Sequence, residues 1–372
     1  MNAHYQNYSL LTDLTGSNED LQLIINTVNE KYNNSFWRTM TDVLPASRSK
    51  KFSVIVEETG ILVKASVVGS MSKKPLRSFE GGRAYEDSMH KIGHRFNFNQ
   101  ADLNAIEDLN LVNTDMAVEA AKKYVNRAQN LIAGFHSAWN GWIYQSISNQ
   151  EVSIRNQSEG AASVVDLRTK SAHKLKAKGS AGWFVNGTTA VIVEDLQRMS
   201  KIADDGGLPA DRVFVCSKTL YDKLSTNASI LAGIKASMPW STADTYISPR
   251  RVMQALSTVY DIPPIVKIDE ISRIEVDGVP INDTADFNVD KISLIPMTKL
   301  FNMHNSVSDY MKDTNPATYK ASTEGGFIGS IQLFSSDPIN VLTNFESWSF
   351  PTFKNPDMIV SLDTSQASET GL

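Results

Sequence analysis

TDMAVEAAKKYVNRAQNLIAGFHSAWNGWIYQSIS, residues 114–148, is the longest helical pattern in this sequence of 372 residues. Val118, Ala121, Val125, Ala128, Leu131, Ile132, Phe135, Ala138, Trp139 and Trp142 recur at three- and four-residue steps. That spacing gathers side chains on one helical face. Thr114 stands at the N-cap position, and Asp115 and Glu119 suit the positive end of the helix dipole. At 3.6 residues per turn the stripe lasts roughly eight turns. Its steps are too irregular for a dimeric coiled-coil seam. The pattern predicts one long helix, over about 114–148, laid along a sheet or its own loop.

Working outward toward the N-terminus, Ala101–Leu109 reads as a short helix starting near Asn99. Before it, Gly69–Asn99 is poor in apolar residues and carries Lys73, Lys74, Pro75, Arg77, Gly81, Gly82 and Arg83. It reads as a long excursion that leaves the body and returns, and such loops are uncommon in compact domains unless they perform a task. Ser53–Val56 and Ile61–Val68 are β-rich runs around Glu57-Glu-Thr-Gly60, a hairpin signal. The first 45 or so residues are polar, with small apolar groups at Leu10–Leu14, Leu21–Val28 and Phe36–Trp37. Asn18-Glu-Asp20 can start a helix through Glu30. Too apolar-poor to form a core, this segment reads as an arm lying over its own chain or a neighbour.

Toward the C-terminus, Gln150–Ser180 is an interlude containing Arg155, Arg168, Lys170, His173, Lys174, Lys176 and Lys178. Beyond it the pattern is mixed α and β. Helices are predicted over Thr188–Asp204, ended by Gly206-Gly207, from the Ser217 cap to Leu224, and from the Ser248-Pro249 start to Tyr260. Strands are predicted over Arg212–Cys216, Ile265–Ile268, Arg273–Val276 with an Asp277-Gly278 turn, Lys291–Pro296, Gly326–Phe334, Ile339–Ser349 and Met358–Leu362. No internal repeat or low-complexity tract occurs.

Composition narrows the function. Hydrophobic residues make up 41% and charged residues 21%, an ordinary globular balance. The net charge of -5 argues against a chain built to grip nucleic-acid phosphates. A single cysteine, Cys216, excludes an internal disulfide and a cysteine-rich zinc site. It ends the apolar run Arg212–Cys216 and reads as a core residue. Met1–Tyr8 has no basic stretch leading into an apolar core, so no signal peptide is expected. No apolar run approaches the ~20 residues of a membrane span.

The search for chemistry returns little. Phosphate-binding Gly-rich loops and the Gly-x-Ser-x-Gly elbow are absent. His90-Lys-Ile-Gly-His94 has the spacing of a helical zinc pair, but lacks the glutamate and precedes the alternation Arg95-Phe-Asn-Phe98, which reads as extended chain. Glu57-Glu58 and Asp204-Asp205 fall at a turn and a helix end, where solvation explains them. The run Arg168–Lys178 lacks interleaved aromatics for base stacking, and reads as a solvated loop or a contact with an acidic neighbour. Trp139, Trp142 and Tyr144 read as core. No catalytic residue, metal or cofactor is expected.

The order of parts (arm, excursion, long helix, α/β region, returning strands) resembles the major capsid proteins of tailed phages, the Hong Kong 97 fold family. The most similar pieces are Arg212–Leu224, Asp290–Pro296 and Ser347–Val360. The resemblance implies an α+β fold divided as an N-terminal arm (1–50), P-domain strands (51–68), an E-loop (69–99), a P-domain with its spine helix (100–182), an α/β A-domain (183–326) and returning strands (327–372). It also implies a structural protein that assembles with itself into hexamers and pentamers around double-stranded DNA, located in the virion and assembled in a bacterial cytoplasm. Lys73, Lys74, Arg77 and Arg83 on the E-loop, with Phe36 and Trp37 on the arm, are the expected inter-subunit contacts. Separate scaffolding, portal and decoration proteins are expected, with weak non-specific DNA contacts and no membrane partner. Alternatives are an encapsulin-like shell, another phage structural component such as a tail or portal protein, and an enzyme sited in the α/β half.

Overall fold

The computed structural model describes residues 18–56, 83–102, 104–105, 108, 114–155, 162–186, 189–237, 246–269, 273–276, 279–282, 286–312, 318–322, 327–336 and 339–368. The helices used below are α1 (Asn18–Lys31), α2 (Phe36–Met40), α3 (Thr114–Asn149), α4 (Trp183–Asn186), α5 (Thr189–Asp205), α6 (Lys218–Thr226), α7 (Ala228–Ala236) and α8 (Pro249–Tyr260). The strands are β1 (Thr41–Val43), β2 (Lys51–Val56), β3 (Arg83–Ser88), β4 (His90–Asn99), β5 (Glu151–Arg155), β6 (Ala162–Asp166), β7 (Lys174–Lys178), β8 (Arg212–Ser217), β9 (Ile265–Ile268), β10 (Arg273–Val276), β11 (Val279–Asn282), β12 (Lys291–Pro296), β13 (Phe301–Ser306), β14 (Thr318–Ser322), β15 (Gly329–Ser336), β16 (Ile339–Phe353) and β17 (Val360–Ser368). The chain divides into two compact units. The first takes Met1–Val54, Tyr85–Asn140 and Phe301–Thr352, and the second takes Ile55–Ala84, Gly141–Leu300 and Phe353–Leu372.

The first unit is built on a sheet ordered β1-β13-β16-β15-β14, with β4 also pairing β16. At 15 residues β16 is long enough to carry β15 along Ile339–Glu346 and β4 along Asn340–Ser349. Thr343, Phe345, Ser347 and Ser349 alternate along it and are all buried, the period-two pattern of one covered sheet face. Part of that cover is α3, whose Trp139 Nε1 donates to Ser349 Oγ at 2.9 Å. The arm lies on this same unit. In α1, Ile24, Ile25 and Val28 are buried, and the Ser322 N–H of edge strand β14 donates to Gln22 Oε1 at 3.0 Å. An exposed edge invites foreign strands, and a helix laid against it removes the invitation. After α2, the arm adds β1 parallel to β13, with Thr41 opposite Phe301.

The second unit is built on a sheet ordered β7-β17-β12-β8-β9. One side packs against α5, α6, α7 and α8 through Leu196, Leu220, Ile234 and Leu256, which cover Phe214, Cys216, Ile292 and Leu362. On the other side the end of α3 is tied to the sheet: Ser293 Oγ donates to the Ile147 carbonyl at 2.8 Å, and Gln150 Nε2 to Ser361 Oγ at 2.8 Å. Caps explain several boundaries. Ser217 Oγ accepts from Leu220 N–H, and Asn227 Oδ1 accepts from the N–H groups of Ser229 and Ile230. Gly207 at φ +70 and Asp261 at φ +51 take the left-handed turns that end α5 and α8.

Some expectations change. Ser248 stands at the N-cap of α8, but its side chain makes no capping bond; Pro249, which has no N–H to satisfy, starts that helix. The basic interlude is partly structured: β5 pairs with β6, and β7 joins the sheet beside β17. In Lys174-Leu-Lys-Ala-Lys178, Leu175 and Ala177 are buried while the lysines point away, so period two underlies what the charges disguise. Neither α7 nor β14 was expected from pattern. The expected hairpin turn at Glu57–Gly60 and its second strand lie outside the described residues, whereas β2 pairs with β3.

Candidate assembly surfaces

Lys73, Lys74 and Arg77 lie outside the described residues. Arg83 is the first residue of β3, which with β2 forms a two-stranded ribbon. Phe36 opens α2 and is half-buried. Trp37 is fully buried. Its backbone N–H donates to Asn140 Oδ1 at 2.9 Å and its Nε1–H to His136 Nδ1 at 3.2 Å. Its ring lies 4.9 Å from that of Trp139 and 5.8 Å from that of Phe327. This tryptophan therefore anchors the arm to its own chain.

His136 is the hub of that anchorage. With Nδ1 accepting from Trp37, Nε2 carries the proton and donates to Asn29 Oδ1 at 2.8 Å. Tyr32 stacks on the same ring at 4.5 Å. Burial, with Arg38 nearby, pushes the imidazole down to about 3, so the neutral tautomer the bonds require is the one present near neutrality.

A second node was invisible in the sequence. The buried carboxylate of Glu346, on β16, accepts from Ser308 Oγ–H at 2.5 Å and from the Asp309 N–H at 2.6 Å. Lys91 of β4 pairs with it at 2.6 Å. Lys50 reaches Asp309 at 2.5 Å and lies 3.8 Å above the Trp348 ring. That bond, against a smaller opposing burial cost and with help from Lys312, holds the Asp309 carboxyl below its usual range. Residues 50, 91, 309 and 346 meet only in three dimensions, and no local pattern announces them.

The candidate chemistry resolves into structure. Cys216 is buried, and burial together with Asp222 pushes its thiol up to about 12, leaving it protonated near neutrality. His90 and His94 sit on β4, four extended residues and roughly 13 Å apart. They pack against Phe350 and Phe135 respectively. Among the described residues no group of three His, Cys, Asp or Glu side chains could hold a metal ion, and no helix is long and apolar enough to cross a membrane. Asp204 pairs with Arg212, and Lys170 with Asp357 at 2.7 Å. Trp139, Trp142 and Tyr144 are core.

Among the described residues, three strand pairs, β2-β3, β5-β6 and β10-β11, belong to no larger sheet. A two-stranded ribbon alone is marginal in water and needs a packed face.

No family model and no curated protein matches the sequence. Solved structures do. A protein described as the capsid protein of an Escherichia coli CFT073 prophage superimposes with a TM-score of 0.52 at 10% identity, over 91% of this chain and 98% of that one. The chain has a phage-capsid fold. It is the Hong Kong 97-like α+β architecture expected from the order of parts. More distant similarities include a phage-related protein of Bordetella bronchiseptica RB50, at 12% identity over 94% of this chain and 97% of that one (TM-score 0.48). The capsid of cyanophage P-SCSP1u follows at 15% identity over 88% and 86% (TM-score 0.45).

Proposed function

We propose that this chain is the major capsid protein of a tailed phage, a shell-building protein with no catalytic role. The observation that carries the proposal is the capsid fold over nine-tenths of the chain. The β5-β6 ribbon supports it, because its exposed Glu151, Val164 and Asp166 offer a face that a neighbouring copy would cover. Copies assemble into hexamers and pentamers that close an icosahedral shell around double-stranded DNA, where many modest contacts are multiplied by closed symmetry. Lys73, Lys74, Arg77, Arg83 and Phe36 contact neighbours, while Trp37 acts indirectly by holding the arm. DNA contacts are weak and non-specific, in keeping with the net charge of -5. Scaffolding, portal and decoration functions come from separate proteins. The product sits in the virion, after assembly in a bacterial cytoplasm.

Electron microscopy and light scattering of the purified protein test this. Large closed particles are expected, and a stable monomer with a substrate-filled pocket overturns it. Packaged nucleic acid separates a phage shell from an encapsulin-like shell, which would hold protein cargo.

A further inference from the structure

The β5-β6 ribbon is rooted with unusual firmness. Gln150 and Arg168, at its two ends, hold left-handed backbone at φ +60 and +62 although neither is glycine, a conformation that persists only where surroundings enforce it. Gln150 is fully buried, its Oε1 accepting from Thr169 Oγ1 at 2.6 Å and its carbonyl from the Leu167 N–H at 3.2 Å. The ribbon is thus aimed by its root. Val152, fully buried, turns one face inward.

The outward face carries an unresolved conflict. Glu151 and Asp166 stand directly opposite one another in the register, and both are exposed. Like charges so placed destabilise a strand pair. Neither carboxylate is ion-paired among the described residues; Asp166 Oδ1 accepts only the Arg168 N–H, at 3.0 Å. Beside them on the same face, Val164 is 59% exposed. Arg155 is also on this face, but four extended residues and roughly 13 Å along β5 from Glu151, so the opposed carboxylates have no paired cation among the described residues and Val164 has no apolar cover.

The complementary surface is on the same chain. Lys174, Lys176 and Lys178 project from one face of β7, the edge of the second unit's sheet. Alternate residues of a strand are about 6.6 Å apart, so the three form a row of positive charge. None is ion-paired among the described residues. Asp363 is in register with Lys176, but its Oδ1 accepts from Ser365 and Gln366. Part of the backbone of this edge is already occupied: Asp195 accepts the Lys178 N–H at 3.1 Å, and Arg198 donates to the Lys176 carbonyl at 2.7 Å. At those positions a partner meets the lysine side chains rather than free backbone.

We propose that the Glu151, Asp166 and Val164 face of one copy docks on the Lys174, Lys176 and Lys178 row of a second copy. Such a contact is head-to-tail, the kind that propagates into rings and closed assemblies. It rests on the shell reading above. The test compares particle yield for wild type, E151K/D166K, K174E/K176E/K178E and the combined variant, with circular dichroism confirming that each folds. Each single-sided reversal should cut yield by about tenfold or more through like-charge contact, and the combined variant should restore it. Unchanged yield in both reversals overturns the proposal. So does a lysine reversal that spares yield and lowers only the nucleic acid retained, because the row then faces packaged DNA. If wild type forms no closed particle, the shell reading fails, and mixed V164C and K176C proteins still test the contact: an intermolecular disulfide supports it, and none at assembly concentration overturns it.

Discussion

The His136 hub predicts a particular acid response. Its imidazole sits at about 3 in the folded chain, against 6.5 for an unperturbed histidine. The unfolded chain therefore takes up this proton first as pH falls. Stability from the neutral, bonded ring is fully present above pH 6.5 and is lost progressively down to about 3, at about 1.4 kcal/mol per pH unit. Between pH 7 and pH 5 the expected loss from this residue is about 2 kcal/mol. Residues that titrate in both proteins cancel when wild type is compared with His136→Gln. His304, lowered to about 4 by burial, is one of these. Glutamine can still accept from Trp37 and donate to Asn29, so the variant should cost only about 1–2 kcal/mol at pH 7, through the lost Tyr32 stack and poorer bond geometry. Urea unfolding, followed by tryptophan fluorescence at pH 7, 6 and 5, measures both. Wild type should lead at pH 7, and its advantage should vanish or reverse near pH 5. A stability difference that stays constant across that range refutes the neutral-hub account.

Three further outcomes follow from the geometry. Replacing Glu346 by alanine strands the Ser308 hydroxyl and the Asp309 N–H in the interior and frees Lys91; urea melts should show a loss of about 3 kcal/mol. A Cβ at Gly182 would lie 2.6 Å from the Thr364 carbonyl oxygen and 2.8 Å from that of Ser365. Because both are backbone atoms, Gly182→Ala should cost about 1–3 kcal/mol in a thermal melt, whereas a neutral result would show that the turn shifts freely. The native Cys216 thiol should resist a thiol-specific reagent at neutral pH until the protein is unfolded in urea, and rapid native labelling would contradict its burial.

Much of this fold is written locally. The apolar stripe from Val118 to Trp142 is enough for α3, because a helical face depends only on spacing. Ser217 and Pro249 mark helix starts, and the short apolar run at Lys291–Pro296 marks a central strand buried on both faces, for the same reason: caps, prolines and apolar runs act within a few residues. The failures are also local in origin. β7 reads as a solvated basic loop because three of its five residues are lysines, and only its neighbours show that Leu175 and Ala177 face a core. Cys216 was legible as core from its apolar run, and the extended chain at His90–His94 from the alternation that follows.

The sequence by itself determined the long helix α3, the helices α5, α6 and α8, the strands β8, β9 and β12, the order of parts and the lack of a local catalytic motif. Tertiary structure alone decided where the arm goes and which charges meet. Trp37 finds His136, and Lys91 finds Glu346, across about a hundred residues or more. The opposed carboxylates of Glu151 and Asp166 likewise exist only through strand register. Such contacts depend on which distant segments pack together, and that choice rests on summed burial over the whole fold, which no short window of sequence contains.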